Sequence, residues 1–181
     1  MKATRKKIKL DAVKMLVLDV DGVLTDGTLV VDDSGKESKF FSVLDGHGIK
    51  MWKRAGLKTA FLSGRKSGPA RQQAKELTVD YFLEDCKDKI VCLRKLMRMS
   101  GLSAEQIAYV GDDLPDLPVI KSVGFAAVVA NAVAEVKGQA DYVTKRKGGR
   151  GAVREVIEYI LKKTGKWQSL MSRYLSDMQV S

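Results

Sequence analysis

Six short apolar runs, at 15–20, 59–62, 81–83, 107–110, 125–128 and 142–144, are the strongest constraint on the fold of this chain. Apart from Asp19 near the end of the first and the threonines Thr59 and Thr144, each is apolar without alternation, the pattern of a strand covered on both faces, and buried strands of this kind belong to parallel sheets. Between them lie segments with apolar residues three and four apart, at 48–54, 69–76, 89–99, 114–122, 132–137 and 151–163, which read as helices. Such alternation predicts an α/β fold: an open, doubly wound, mostly parallel sheet with helices on both faces. One stretch departs from it. Leu29, Val30 and Val31, a turn over 32–35, and Lys39 to Phe41 read as a β-hairpin flap beside the end of the first strand. The chain between Asp21 and Ser63 holds only this flap and one helix, and that between Ser63 and Lys89 one helix and one strand. A cap domain has no place in either.

At 181 residues the chain fits one domain, expected over 14–164, with a basic arm at 1–13 and a helical tail at 165–181. The tail carries Leu170, Met171, Tyr174, Leu175 and Met178 at helical spacing, an apolar face that must cover its own core or a neighbouring subunit. No stretch approaches the roughly 18 apolar residues of a membrane span. The arm, with Lys2, Arg5, Lys6, Lys7 and Lys9, is not followed by the apolar core of a secretory signal, and the cytoplasm is the expected compartment.

Cys86 and Cys92 are too few for a disulfide framework and are expected as buried, reduced thiols. The single histidine, His47, leaves no material for a zinc site of usual spacing or for a histidine-activated nucleophile; it is expected in a structural place and receives no catalytic role. Hydrolytic chemistry here must rest on carboxylates, lysine or a metal. The net charge of +10 suits an anionic partner. Nucleic acid is disfavoured because the basic residues are not interleaved with aromatics and no RNA-binding signature appears; a phosphorylated small molecule explains the charge about as well, and a merely solvated surface explains much of it.

In an open α/β sheet, ligands bind beyond the carboxyl ends of the strands. The residues there are unusually polar: Asp19 and Asp21 after the first run, Ser63-Gly64-Arg65 after the second, Asp88-Lys89 after the third, and Gly111-Asp112-Asp113 with Asp116 after the fourth. Any one of these sets is ordinary turn or capping chemistry. Together, and in this order, they resemble the four motifs of the haloacid dehalogenase-like superfamily, over about residues 14 to 125. The run Asp21-Gly22-Val23-Leu24-Thr25-Asp26-Gly27, the turn Asp45-Gly46-His47-Gly48-Ile49, Lys87-Asp88-Lys89 and the stretch from Gly148 to Glu155 are most similar to the 3-deoxy-D-manno-octulosonate 8-phosphate phosphatases.

That resemblance implies a Rossmann-like sheet, a magnesium-dependent phosphomonoesterase acting on a phosphorylated sugar acid, a role in lipopolysaccharide biosynthesis, and a homotetramer whose hairpins and C-terminal tails cover neighbouring sites. Asp19 is the nucleophile. Asp19 and Asp112, with the Asp21 backbone carbonyl, hold Mg2+, whose charge lets a carboxylate approach a phosphate anion. Asp21 protonates the leaving oxygen and later takes a proton from water, for which burial and neighbouring carboxylates must raise its pKa. Ser63, with backbone N–H groups at a helix start, and Lys89 stabilise the phosphoryl group. Asp116 either orients Lys89 or metal-bound water, or lies in a helical first turn; Asp113 supports the site from behind, and Asp26 belongs to the bend. Substrate falls to Asp21, Ser42, Asp45, Gly46, Lys50, Arg65 and Lys89. Lys50 stands where arginine is usual and Gln73 where a further arginine is expected, although Arg71 is close by, and the basic joint 145–151 is a candidate lid for a neighbouring site. The rivals are a phosphatase for a 9-phosphorylated nonulosonic acid, a nucleic-acid 3′-phosphatase, and a non-enzymatic phosphoacceptor module. The module fits poorly because an acidic cluster follows Lys89.

Overall fold

The computed structural model describes residues 9–175. Most of the basic arm, with Lys2, Arg5, Lys6 and Lys7, and Met178 of the tail lie outside the described residues. Six strands form one sheet: β1 (Met15–Leu18), β4 (Lys58–Leu62), β5 (Tyr81–Leu83), β6 (Ile107–Gly111), β7 (Phe125–Val128) and β8 (Tyr142–Val143). Their order is β5-β4-β1-β6-β7-β8, and every pairing is parallel. From β1 the chain crosses to β4 and β5 on one side, then returns to β6 on the other side of β1. The switch point therefore lies between the carboxyl ends of β1 and β6, the place where such sheets bind ligands.

The four residues of β1 are all buried, as are those of β6 and β7, which is why these runs are continuously apolar. Helices α1 (Val43–Arg54) and α6 (Ala152–Lys163) pack on each other, as do α3 (Lys89–Ser100) and α4 (Leu117–Ile120), and both pairs flank the sheet. Trp52, Phe61, Tyr109 and Phe125 are among the largest fully buried side chains. Each such burial contributes about 1.5–3 kcal/mol. The remaining helices are α2 (Gly68–Glu76), α5 (Ala134–Lys137) and α7 (Trp167–Leu175).

Several expectations need correction. The flap pairs β2 (Val30–Val31) with β3 (Glu37–Ser38), so its second arm lies earlier than Lys39 to Phe41; the Asp32 side chain accepts from the N–H groups of Ser34 and Lys36 and tightens the turn. Helix α1 begins five residues before the expected start, because Ser42 caps it by accepting from Asp45 N–H at 3.5 Å. Cys86 and Cys92 are joined as a disulfide, not reduced: the loop before α3 turns back so that their Cα atoms are 6.0 Å apart, with Lys89 between them in sequence. One expectation is met: the tail helix α7 takes the first of its two expected places, on α6 of its own chain, with Lys162 over the Trp167 ring and Tyr174 bonded to Arg54 and His47.

Candidate active site

After β1 the chain makes one wide turn over Val20–Leu24, closed by Thr25 N–H donating to Val20 O at 3.1 Å. Thr25, almost fully buried, accepts from the N–H groups of Gly22 and Gly27 at 3.3 and 3.2 Å. Gly22 has φ +88°, and a Cβ there would stand 2.0 Å from Asp112 Oδ2. Only glycine lets the Asp112 carboxylate close on this turn. The joint after β8 packs beneath it: Gly149 N–H donates to Val23 O at 2.9 Å, and a Cβ on Gly148 would lie 1.7 Å from Gly22 O. The backbone of the joint 145–151 is thus fixed against its own chain's turn. It is held there by Glu155, which accepts from the N–H groups of Lys145 and Arg146 at 2.8 and 3.0 Å.

Across the switch point, Asp19 ends β1 and Asp112 follows β6. Asp88 caps α3 through the Ile90 and Val91 N–H groups at 3.1 and 3.4 Å, which aims the next side chain, Lys89, back at the sheet. Its ammonium lies 2.9 Å from Asp19 Oδ1 and also pairs with Asp116; Lys89 and Asp19 are both buried. Asp116 is the fully buried hub. It accepts from Lys89, from Tyr109 Oη at 2.6 Å, and from the N–H groups of Asp112 and Asp113 at 2.8 and 3.2 Å. Both readings of Asp116 hold at once, since it sits in a short helical turn and also positions Lys89. Asp113 caps that turn through Leu114 N–H.

Ser63 is fully buried after β4, donating to Arg65 O at 2.9 Å and accepting from Arg65 N–H at 3.3 Å. It does not stand at a helix start: α2 begins at Gly68, capped by Ser67. Asp21 stands in the turn after β1 and is met from the flap. Its carboxylate, 27% exposed, pairs through Oδ1 with Lys39 of the flap, and Lys39 bonds Glu37 at 2.7 Å while Arg65 reaches Glu37 at 3.5 Å.

A family model for haloacid dehalogenase-like hydrolases matches residues 83–157. The 3-deoxy-D-manno-octulosonate 8-phosphate phosphatase KdsC of Escherichia coli K12 is 38% identical over 158 residues, 87% of this chain and 84% of that protein. The chain belongs to this phosphatase family of the haloacid dehalogenase-like hydrolases. Two solved structures have the same fold. The phosphatase of that name from Moraxella catarrhalis, in complex with magnesium, phosphate and KDO, superposes with a TM-score of 0.89 at 36% identity, over 91% of this chain and 95% of the other. The cobalt-bound phosphatase of Haemophilus influenzae gives 0.84 at 42%, over 87% and 92%. As a member of the family, the chain is a phosphoric monoester hydrolase.

The acidic cluster of this haloacid dehalogenase-like site fits a divalent cation. Asp19, Asp112 and Asp116 each place an oxygen within 4.8 Å of the others, around a single ammonium. Asp116 is occupied by its four donors, so Asp19 and Asp112 remain to hold the ion with hard oxygen ligands. The excess of negative charge is visible in their titration. Burial, and then neighbouring carboxylates, push Asp112 up to about 6; burial also raises Asp19, although Lys89 works against it. Burial opposes the charge of Lys89, yet Asp19 and Asp116 outweigh it and raise its pKa. Burial and the same carboxylates keep the Tyr109 phenol protonated as a donor.

The other residues expected at substrate are not all brought to this site. Asp45 is buried, and its carboxylate accepts from the N–H groups of Gly151 and Arg154 at 3.1 and 2.8 Å, so it caps α6 from a distance. Gly46 faces Leu77, and Lys50 is exposed on α1. Arg71 turns to Glu84 and takes no place left by Gln73. Ser42, with Asp26, Phe40, Phe41, Leu44, Gly149 and Arg150, lines a cavity of about 270 Å³ at the base of the flap. Asp26 bonds Thr28 N–H and so belongs to the bend, as expected. Sequence reasoning missed Lys39, Tyr109 and Thr25. Of these only Thr25, a lone hydroxyl inside the Asp-rich turn, carried a local signal.

Proposed function

We propose that the protein hydrolyses the phosphate ester of a sugar acid, 3-deoxy-D-manno-octulosonate 8-phosphate, with Mg2+ and through an aspartyl-phosphate on Asp19. The observation that carries this reading is the meeting of Asp19, Lys89, Asp112 and Asp116 at the switch point, in a chain whose relatives bear that activity in their names. Asp19, Asp112 and the Asp21 carbonyl would hold the ion. When bound, it would lower the repulsion between a carboxylate and a phosphate anion. Asp19 attacks phosphorus and the ester P–O bond breaks, with a proton passing from Asp21 to the departing alkoxide. Water then attacks phosphorus, the bond to Asp19 breaks, and Asp21 recovers a proton. Lys89 steers the nucleophile, and the Ser63 hydroxyl with nearby N–H groups receives phosphoryl oxygens.

Ser42 and the cavity it lines, with Arg65 at the flap, are proposed to receive the sugar acid, Arg65 pairing with a carboxylate. Lys50, exposed on α1, would act there only through a neighbouring chain, and Gly46, buried against Leu77, serves the packing of α1. Leu29, Val30, Val31, Phe40, Val43 and Leu44 are exposed apolar side chains on the flap and the first turn of α1, a surface suited to a second copy in a homotetramer. Residues 14–164 form the catalytic domain, and 165–181 the tail. Phosphorylated sugar acids do not cross membranes unaided, so enzyme and substrate share one compartment, which we take to be the cytoplasm.

The test is a panel of the 8-phosphate, a 9-phosphorylated nonulosonate and simple phosphate esters, assayed with Mg2+ and with EDTA. A preference of tenfold or more in kcat/KM for the 8-phosphate, about 1.4 kcal/mol, is expected. A preference for the nine-carbon ester reassigns the substrate, and absence of metal-dependent hydrolysis on every ester overturns the reading. Light scattering should give four times the chain mass of 19.9 kDa.

A further inference from the structure

Lys39 reaches from the flap into the catalytic turn, and it does so as a buried charge. Its side chain has 0% exposure, although the flap around it is solvated. Lysine is almost never fully buried unless paired, because taking the ammonium out of water costs several kcal/mol. Here the pairing is with Asp21 and Glu37, and Glu37 is in turn reached by Arg65 from the loop after β4. Burial opposes the charge on Glu37, but Lys39 and Arg65 outweigh it and hold its pKa below the ordinary value. A line of alternating charge thus runs from the turn after β1, through the flap, to the loop after β4.

A two-stranded hairpin with two residues on each arm has little stability of its own. Its seat on the body of the protein depends on contacts such as these. Conversely, the Asp21 carboxylate, partly exposed and eighteen residues away in sequence, has the Lys39 ammonium to fix it. Because the ammonium is closed off from solvent, it does not reach substrate; whatever it does is done through Asp21. The contact uses Asp21 Oδ1 and so fixes the orientation of the carboxylate.

We propose that Lys39 is a positioning residue: it fixes the Asp21 carboxylate at the leaving-group oxygen and makes that placement depend on the flap being seated. This rests on the phosphatase reading above, in which Asp21 delivers the proton as the ester P–O bond breaks and regains it from the attacking water. The consequence is specific to the leaving group. An alkyl phosphate expels a strongly basic alkoxide that needs the proton. 4-Nitrophenyl phosphate expels a stable phenolate that does not.

The experiment compares Lys39→Met with the wild-type enzyme on the 8-phosphate and on 4-nitrophenyl phosphate, both with saturating Mg2+. General acid catalysis is worth about 10²–10⁴-fold, and a misplaced acid loses part of it, so the alkyl-to-aryl ratio of kcat is expected to fall about 30-fold. KM for the 8-phosphate should move much less than kcat. Lys39→Arg, which keeps the charge and the donor, should recover most of the ratio. Equal loss on both esters, or a loss confined to KM, overturns the proposal. If Lys39→Met is unfolded by thermal melt, Glu37→Gln serves instead: it leaves Lys39 in place but loosens the flap, and must lower the same ratio at least threefold or the proposal falls. A wild-type enzyme inactive on every ester sinks the phosphatase reading. An active one with an unchanged ratio in the variants sinks only this inference.

Discussion

Asp116→Asn exchanges a single oxygen for an amide nitrogen at the centre of the site. The carboxylate accepts four donors, two on each oxygen: Lys89 and Tyr109 on Oδ1, and the N–H groups of Asp112 and Asp113 on Oδ2. An asparagine can keep the two backbone bonds by placing its carbonyl oxygen there. Its amide then faces Lys89 and Tyr109. The phenol can rotate its hydrogen and accept, but the ammonium is a donor only and loses a charge-assisted bond worth about 1.5–3 kcal/mol. With the residual mismatch in a fully buried place, the net cost is expected at about 2–4 kcal/mol. For a chain of this size each kcal/mol lowers Tm by about 2–4 °C, so the fall should be on the order of 5–15 °C. One effect opposes it: removing a negative charge relieves repulsion with Asp112 while no metal is bound. The fall should therefore be larger with Mg2+ than with EDTA. Tyr109→Phe, which removes one neutral donor, should cost about 1 kcal/mol. Thermal unfolding by circular dichroism of both variants, with and without Mg2+, reads these values. An Asp116→Asn variant melting within 2 °C of wild type, or one no worse than Tyr109→Phe, would refute the assignment of Asp116 as hub.

Asp112 titrates near 6, above its ordinary value of 3.8, and a protonated carboxylate is no ligand; Mg2+ affinity by calorimetry should weaken about tenfold per pH unit below 6 and level off above 7. Because the folded value is the raised one, the proton on Asp112 stabilises the metal-free fold in full only below its ordinary value of 3.8, and that contribution declines as pH rises to about 6 and is gone above it, so Mg2+ should raise Tm more at pH 7.5 than at pH 5. Asp45→Ala removes the cap of α6 and should cost about 1–2 kcal/mol in denaturant unfolding while KM stays within about twofold; a large rise in KM without loss of stability would restore it to the substrate. Gly148→Ala pushes a methyl group into Gly22 O and should lower kcat at least tenfold, about 1.4 kcal/mol of barrier, by shifting the turn that carries Asp21.

The parts of the site that the sequence displays are those that follow a buried strand directly. Asp19, Ser63 and Asp112 each come at the end of an apolar run, and Lys89 follows a capping aspartate, so a parallel sheet gathers them without further information. Residues that arrive from elsewhere left no such trace. Lys39 reaches Asp21 from a hairpin whose register depends on side-chain bonds in its turn, which strand propensity does not reveal. Tyr109 sits in an apolar strand and reads as core; its function is one hydroxyl, visible only once Asp116 is beside it. Asp45 reads as part of a turn because two glycines, Gly46 and Gly48, disguise the first turns of α1 as a loop, whereas Gly48 serves the close approach of the helix to Arg154 of α6. The cysteine pair followed composition alone, and a six-residue separation across a loop and a helix start carries no sign of pairing until the turn is seen.

The central claim is that Asp19 takes the phosphoryl group. The direct measurement is acid quench of the enzyme during the first turnover of radiolabelled 8-phosphate with Mg2+, followed by peptide mapping. Label on the peptide bearing Asp19, lost in Asp19→Asn together with at least a thousandfold of kcat, about 4 kcal/mol, is the expected result. Full turnover by Asp19→Asn, or a label carried by a peptide without Asp19, would contradict it.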